Sequence, residues 1–152
     1  MPYTTAEGRE QVLNAVAAAA EQLGLAVGSL TAAYEELDEA MGDRLEQELF
    51  RPVQSAYGRA KRTHSEFATR HELSQRSFAA PTTGAPARGV KGLLERAVQE
   101  VETADAELAT LQDSMLPVEV GDAELRAGLG EVRTLLDHTR AHARELLRTF
   151  GR

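Results

Sequence analysis

The chain has 152 residues, of which 42% are hydrophobic and 27% are charged, a balance typical of a single globular domain over residues 1–152. The absence of cysteine excludes disulfides and thiolate chemistry, and the net charge of −7 argues against nucleic-acid binding. No run approaches the ~20 apolar residues that cross a bilayer, so the sequence predicts a cytoplasmic protein with neither an export signal nor an integral membrane segment.

The first predicted helix covers residues 5–41. Thr4 and Glu7 have the spacing of a capping box, in which a hydroxyl and a carboxylate satisfy the unpaired backbone donors of a first turn. From Leu13 to Met41, apolar residues recur at spacings of three and four, which is the period of one buried helix face.

The second predicted helix covers residues 44–78. Gly42 is suited to ending the first helix and Asp43 to capping the next, so a tight hairpin is expected between them. Pro52 lies inside this second helix, and because proline lacks a backbone donor we expect a kink near it.

Two further helices are predicted over residues 90–115 and 123–150. The stretch 79–89 contains two Pro and two Gly without apolar periodicity, which is typical of a loop. Asp122 precedes the last helix and is suited to capping it.

These elements predict an all-α, antiparallel, up-down-up-down four-helix bundle whose first two helices are longer than its last two. Net charge alternates along the chain: −8 over residues 1–50, +5 over 51–88, −7 over 89–125 and +3 over 126–152. If each helix packs on its sequence neighbours, every acidic helix lies between basic ones. We therefore expect opposite charges to guide the order of the helices.

The unequal helix lengths predict that the first hairpin overhangs the second by about 15 Å, at 1.5 Å per residue. An uncovered apolar strip at this tip is expected to bind a protein partner or a second copy of the chain. The predicted interaction residues are Tyr34, Leu37, Met41, Leu45, Leu49, Phe50, Glu35, Glu39 and Glu46. The alternative is that Pro52 folds the tip back, or that the last helix covers it.

All four histidines fall on predicted helices. His138 and His142 are four residues apart, as zinc ligands often are, but their positions favour the surface. His64 and His71 occupy the apolar seam, where small neighbours could leave a polar pocket for a ligand or metal. The competing interpretation is a buried neutral histidine, or one whose protonation loosens the bundle.

No pattern in the sequence identifies an enzyme. The predicted seams contain no carboxylate, and the Glu-x-x-His pairs of di-iron bundles, phosphate-binding loops and nucleophile motifs are missing, so no cofactor is predicted. The primary hypothesis is a non-enzymatic bundle that acts through protein contacts at its acidic tip. The alternative is a bundle that binds a small ligand or metal at the seam histidines.

Overall fold

The computed structural model describes residues 4–82 and 89–150, and this part of the chain contains helices and no strand. In chain order the helices are α1 (Thr5–Glu35), α2 (Glu39–Leu45), α3 (Arg51–Arg70), α4 (Gly89–Asp113), α5 (Leu116–Glu119) and α6 (Ala123–Phe150), with a π-helical turn (Glu46–Phe50) between α2 and α3. The all-α class is confirmed. Residues 83–88 of the predicted loop lie outside the described residues.

Two predicted helix starts are confirmed by hydrogen bonds. At the start of α1, the Glu7 N–H donates to Thr4 Oγ1 at 3.1 Å and the Thr4 N–H donates to Glu7 Oε2 at 3.3 Å, which completes the capping box. At the start of α6, the Leu125 N–H donates to Asp122 Oδ1 at 2.7 Å. Side-chain hydrogen bonds within one turn therefore determine where α1 and α6 begin.

The first turn lies earlier than predicted. α1 ends at Glu35, and the Met41 N–H donates to Asp38 Oδ1 at 2.9 Å, so Asp38 and not Asp43 caps the next helix. Gly42 is an interior residue of α2, and a Cβ there would lie 3.3 Å from the Tyr34 ring. The glycine therefore provides room for an aromatic ring instead of ending a helix.

The helical path continues through the region of Pro52. The Arg51 N–H donates to the Glu46 carbonyl five residues back, so this turn is wider than an α-helical one. A wider turn is one way in which a helix accommodates a proline that cannot donate a hydrogen bond. The π-helical turn is the distortion found here, and the kink itself stays a prediction.

α3 ends at Arg70, eight residues before the predicted end at 78. Glu72 has a positive φ of 56°, the Leu73 N–H donates to the Ala68 carbonyl at 2.8 Å, and the Glu72 N–H donates to the Thr69 carbonyl at 3.3 Å. These bonds form a Schellman motif. Because a glutamate and not a glycine holds the left-handed position, the sequence did not reveal this helix end.

After α3 the chain turns back along the groove between α1 and α3, as a non-helical crossover segment (residues 71–82). Its Phe78 ring contacts the His64 ring edge-on, with centroids 5.4 Å apart, and Tyr57 donates a hydrogen bond to the Ala79 carbonyl at 3.3 Å. The segment therefore runs toward the end of the bundle at which α3 began. A long crossover replaces the predicted short loop.

The crossover changes the topology. α1 contacts α3 and α4, and α6 contacts the same two helices, so α1 and α6 lie on one diagonal. Late in α1, Ser29 is hydrogen-bonded to Glu100 of α4, and early in α1, Gly8 lies against Val120, which follows α4 in the chain. α1 and α4 are therefore antiparallel. The described contacts thus give an up-down-down-up order. The predicted up-down-up-down order is wrong, because it assumed short connections throughout.

The expected electrostatic order is wrong for the same reason. The most extensive contact in the bundle joins α1 to α4, which are both acidic, and the next joins α3 to α6, which are both basic. Opposite charges meet between the two pairs, where Arg133 of α6 donates to Asp105 of α4 at 2.8 Å, and also within the basic pair, where Arg59 of α3 donates to Glu131 of α6 at 2.7 Å. Apolar packing, not charge, sets which helices touch.

One continuous apolar core runs through the bundle and reaches the tip. Its largest fully buried side chains are Phe67, Leu23, Leu30, Leu45, Leu94, Leu108, Leu125, Leu129, Leu136 and Leu146. Leu45 of α2 belongs to this set, so the tip is part of the core. The C-terminal part of α6 packs on the π-helical turn and covers it.

The closest approach of α3 and α6 provides a test of this packing. A Cβ at Gly128 would lie 2.3 Å from Thr63 Oγ1, whereas a Cβ at Gly130 meets no atom within 4 Å. We expect Gly128→Ala to lower the free energy of unfolding by about 1–3 kcal/mol through overpacking. Gly130→Ala, the matched control, should raise it by about 0.5–1 kcal/mol through helix propensity.

Urea denaturation of both variants measures the difference. Thr63→Ala should restore part of the stability lost in Gly128→Ala, because it removes the two nearest atoms. Equal effects of the two glycine variants would contradict this helix contact.

Candidate functional site

The tip of the first hairpin, defined as residues 34–50, has the densest negative charge in the chain. It contains seven carboxylates and one arginine. Arg44 donates to Glu48 at 3.2 Å, and Arg51, just beyond the tip, pairs with Glu46 at 3.9 Å. The remaining carboxylates are exposed, namely Glu35, Glu36, Asp38, Glu39 and Asp43. The tip segment is therefore strongly anionic.

The predicted apolar strip at the tip is mostly internal. Leu45 is completely buried and Leu49 is 3% exposed, while Leu37 and Phe50 are partly buried against the core and Met41 is half-buried. The strip was expected to be uncovered because the first hairpin was taken to overhang the second. In the structure α1 is shorter than expected and α6 covers the π-helical turn. That premise was wrong, and the interaction role of these residues stays a prediction.

Tyr34 is the exception, because 42% of this residue is exposed. Its ring packs edge-on against Phe50, with centroids 6.4 Å apart, and lies over Gly42. The ring is therefore held in place on the surface, and the five exposed carboxylates of the tip, from Glu35 to Asp43, follow it in the chain. Of the predicted charged contacts, Glu35 and Glu39 are exposed and Glu46 is half-buried.

His64 is buried, with 3% of the residue exposed, and its Nδ1 atom has no hydrogen-bond partner. Burial lowers the pKa of His64, and the negative charge of Glu10 opposes this shift only in part. An up-down-up-down bundle would place Thr139 beside His64, but Thr139 lies elsewhere, because α6 runs opposite to the direction expected for a fourth up-down helix. Phe78 of the crossover segment covers the imidazole instead.

His71 belongs to a different cluster, at the end of α3. Its Nε2 lies 2.8 Å from Asp122 Oδ2, and Arg70 donates two hydrogen bonds to the same carboxylate at 2.7 and 2.8 Å. Burial alone would raise the pKa of Asp122, but the hydrogen bonds from Arg70, the Leu125 N–H and His71 outweigh it and lower the pKa to about 2. The cluster joins the end of α3 to the start of α6.

The histidines do not converge on one site. His64 and His71 have different neighbours, and His138 and His142 are exposed on α6. Within residues 4–82 and 89–150, no three His, Cys, Asp or Glu side chains come together as a set of metal ligands.

Four buried polar residues were not predicted from the sequence: Ser29, Thr63, Glu100 and Asp105. Ser29 donates to Glu100 Oε1 at 2.9 Å between α1 and α4, and burial raises the pKa of Glu100. Asp105 is also buried, yet the hydrogen bonds and charges of Arg133 and Arg140 lower its pKa. The helical spacing could have predicted the burial of both carboxylates. Glu100 follows Ala97 by three positions and Asp105 follows Val101 by four, so both belong to a wide buried face.

Comparisons with protein families, curated proteins and solved structures find no match to this chain. Among the described residues, α1 alone is long and apolar enough to cross a membrane, and 61% of its most apolar window is buried inside the bundle. Core helices and N-terminal signal segments meet the same criteria of length and composition. The cytoplasmic location and the absence of an integral membrane segment therefore stay predictions.

The burial of His64 predicts a pH dependence of stability. Because its pKa is lowered in the folded state, the unfolded chain binds this proton more readily, and stability is lost as the pH falls below about 6.5. Between pH 7.5 and 5.5 we expect this residue to cost up to about 1 kcal/mol. Thermal melts across this range should show a smaller loss for His64→Gln than for the unmodified protein.

His138→Gln, at an exposed position of α6, is the matched substitution that controls for replacing an imidazole with an amide. The same slope in the unmodified protein and in His64→Gln would show that the imidazole titrates freely in the folded state.

Proposed function

We propose that this protein is a non-enzymatic helical bundle that acts through protein–protein contacts, and that its contact surface is the acidic tip around Tyr34. The observation that supports this most directly is a partly exposed aromatic ring that packs against Phe50 and is followed in the chain by five exposed carboxylates. Tyrosine is enriched where interfaces bind tightly, because it buries a large area at a low entropic cost.

The charge of the tip favours a cationic partner. Seven carboxylates and one arginine within residues 34–50 attract a basic surface and accelerate its association. A two-fold contact between two tips would place like charges against each other, and this disfavours self-association through the tip. A different, basic protein is therefore the better partner for this surface than a second copy.

A small ligand or metal at the seam histidines is the weaker proposal. His64 supports it through its unpaired Nδ1. However, Phe78 covers His64, and His71 is already hydrogen-bonded to Asp122. A ligand would have to displace the crossover segment to reach His64.

Photo-cross-linking tests the proposal. A photoreactive phenylalanine analogue is placed at position 34 and, as a matched control, at the exposed Ala127 on α6, in cells that naturally express the chain. We expect a specific adduct with a basic protein from position 34 and none from position 127. The double variant Glu35→Lys/Glu39→Lys should abolish that adduct, because the reversed charges repel a cationic partner.

The charge-reversal variant should remain folded. Glu35 is the last residue of α1, where a lysine complements the helix dipole, and Glu39 is the first residue of α2, where a lysine opposes it, so the two effects offset each other and a thermal melt should change little. An adduct of the chain with itself would identify self-association at the same surface. Equal labelling from positions 34 and 127, or no adduct from position 34, would contradict the proposal.

A further inference from the structure

An apolar cavity lies below the tip, inside the bundle. It is about 50 Å³ in volume and is lined by core residues of α1, the π-helical turn, α3, α4 and α6. Leu30, Leu49, Val53 and Val101 contribute apolar walls, and Ala97 and Ala143 contribute small side chains from α4 and α6. Because α4 and α6 form the least extensive of the four helix contacts, this side of the bundle is the easiest to widen.

Three charged side chains line the mouth of the cavity, Glu102 of α4 and Arg140 and Arg144 of α6, and all three residues are exposed. Arg140 is bound by Asp105 and Asp137, whereas Glu102 and Arg144 make no ion pair within residues 4–82 and 89–150. The mouth therefore presents one anion and one cation, each available to a ligand.

The size of the cavity limits what can enter. An apolar cavity of ~150 Å³ stays dry and binds benzene, so a cavity one third as large suits an aliphatic group of a few carbons. Thr139, the polar residue of the wall, already donates its hydroxyl to the Leu136 carbonyl. The interior thus offers apolar contact, and hydrogen bonds are available only at the mouth.

We propose that this cavity binds a small zwitterion with an aliphatic side chain, the class to which hydrophobic α-amino acids belong. The side chain enters between α4 and α6, the ligand carboxylate pairs with Arg144, and the ligand ammonium pairs with Glu102. Apolar pockets with a few polar groups at the rim are the usual form of small-molecule sites. This inference is independent of the tip surface and of any protein partner.

Titration of the purified chain with L-leucine tests the proposal, with binding followed by calorimetry and by the NMR methyl signals of Leu49 and Val53. We expect saturable one-to-one binding that shifts these methyl signals. Glycine lacks the aliphatic group, 4-methylpentanoate lacks the ammonium and isoamylamine lacks the carboxylate. Each should bind at least about tenfold more weakly than leucine, since each loses one of the three contacts.

Substitutions separate the cavity from other surfaces. Ala97→Leu should abolish leucine binding and raise the melting temperature by filling the cavity, and Ala97→Val is the milder variant if the larger side chain overpacks. Arg144→Gln and Glu102→Gln should each weaken binding about tenfold. The exposed residues Arg148 and Asp113 lie on the same helices outside the cavity, so Arg148→Gln and Asp113→Asn should leave the affinity unchanged.

Three results would overturn the proposal: no saturable binding of leucine, equal affinity for 4-methylpentanoate or isoamylamine, or unchanged binding to both Ala97 variants. Because the assay contains no protein partner, its outcome does not depend on whether the tip binds one.

Discussion

The fold depends on the connection between α3 and α4, which must travel the length of the bundle. α3 ends where α6 begins, at the Arg70–Asp122 ion pair, whereas α4 begins at the opposite end, beside the tip. The crossover segment returns along the groove between α1 and α3, and its Phe78 and Ala79 contact His64 and Tyr57. Because α4 starts at the tip end and runs antiparallel to α1, it packs on α1 and α6 and lies diagonal to α3.

One consequence is that the bundle has an acidic half and a basic half. α1 and α4 have net charges of −3 and −4 and pack together, while α3 and α6 have net charges of +4 and +1 and pack on the other side. Exposed charges at these distances are screened by salt and contribute little, whereas each buried leucine contributes roughly 1.5–3 kcal/mol. Burial of the apolar faces therefore outweighs the repulsion between like helices.

The tip and the cavity lie at the same end of the molecule. Leu49 of the π-helical turn lines the cavity, and Phe50 of the same turn supports the exposed ring of Tyr34. Five exposed carboxylates follow this ring in the sequence, and a cationic surface is the partner that they favour. The wider turn before Pro52 is thus the element common to both proposed sites, since it positions one side chain in each.

The sequence by itself determined the helical class, the starts of α1 and α6, and most of the buried faces. These properties are local, because Thr4, Glu7 and Asp122 act within one turn and apolar periodicity acts within one helix. The end of α3 could not be predicted, because Glu72 adopts a positive φ, a conformation that glycine usually adopts at helix ends. The burial of Leu45 and Leu49 was not apparent either, because it depends on how far α6 extends over the tip.

Only the tertiary structure decided which helices contact each other, and therefore where the candidate sites lie. An apolar stripe specifies that a helix face is buried but not which neighbour buries it, because the hydrophobic effect is non-directional. α6 runs antiparallel to both α3 and α4. For this reason His64 and Thr139 lie in different layers of the core, and Ala97 and Ala143 line the same cavity. That direction depends on the long path of the crossover segment, which the composition of the loop could not reveal.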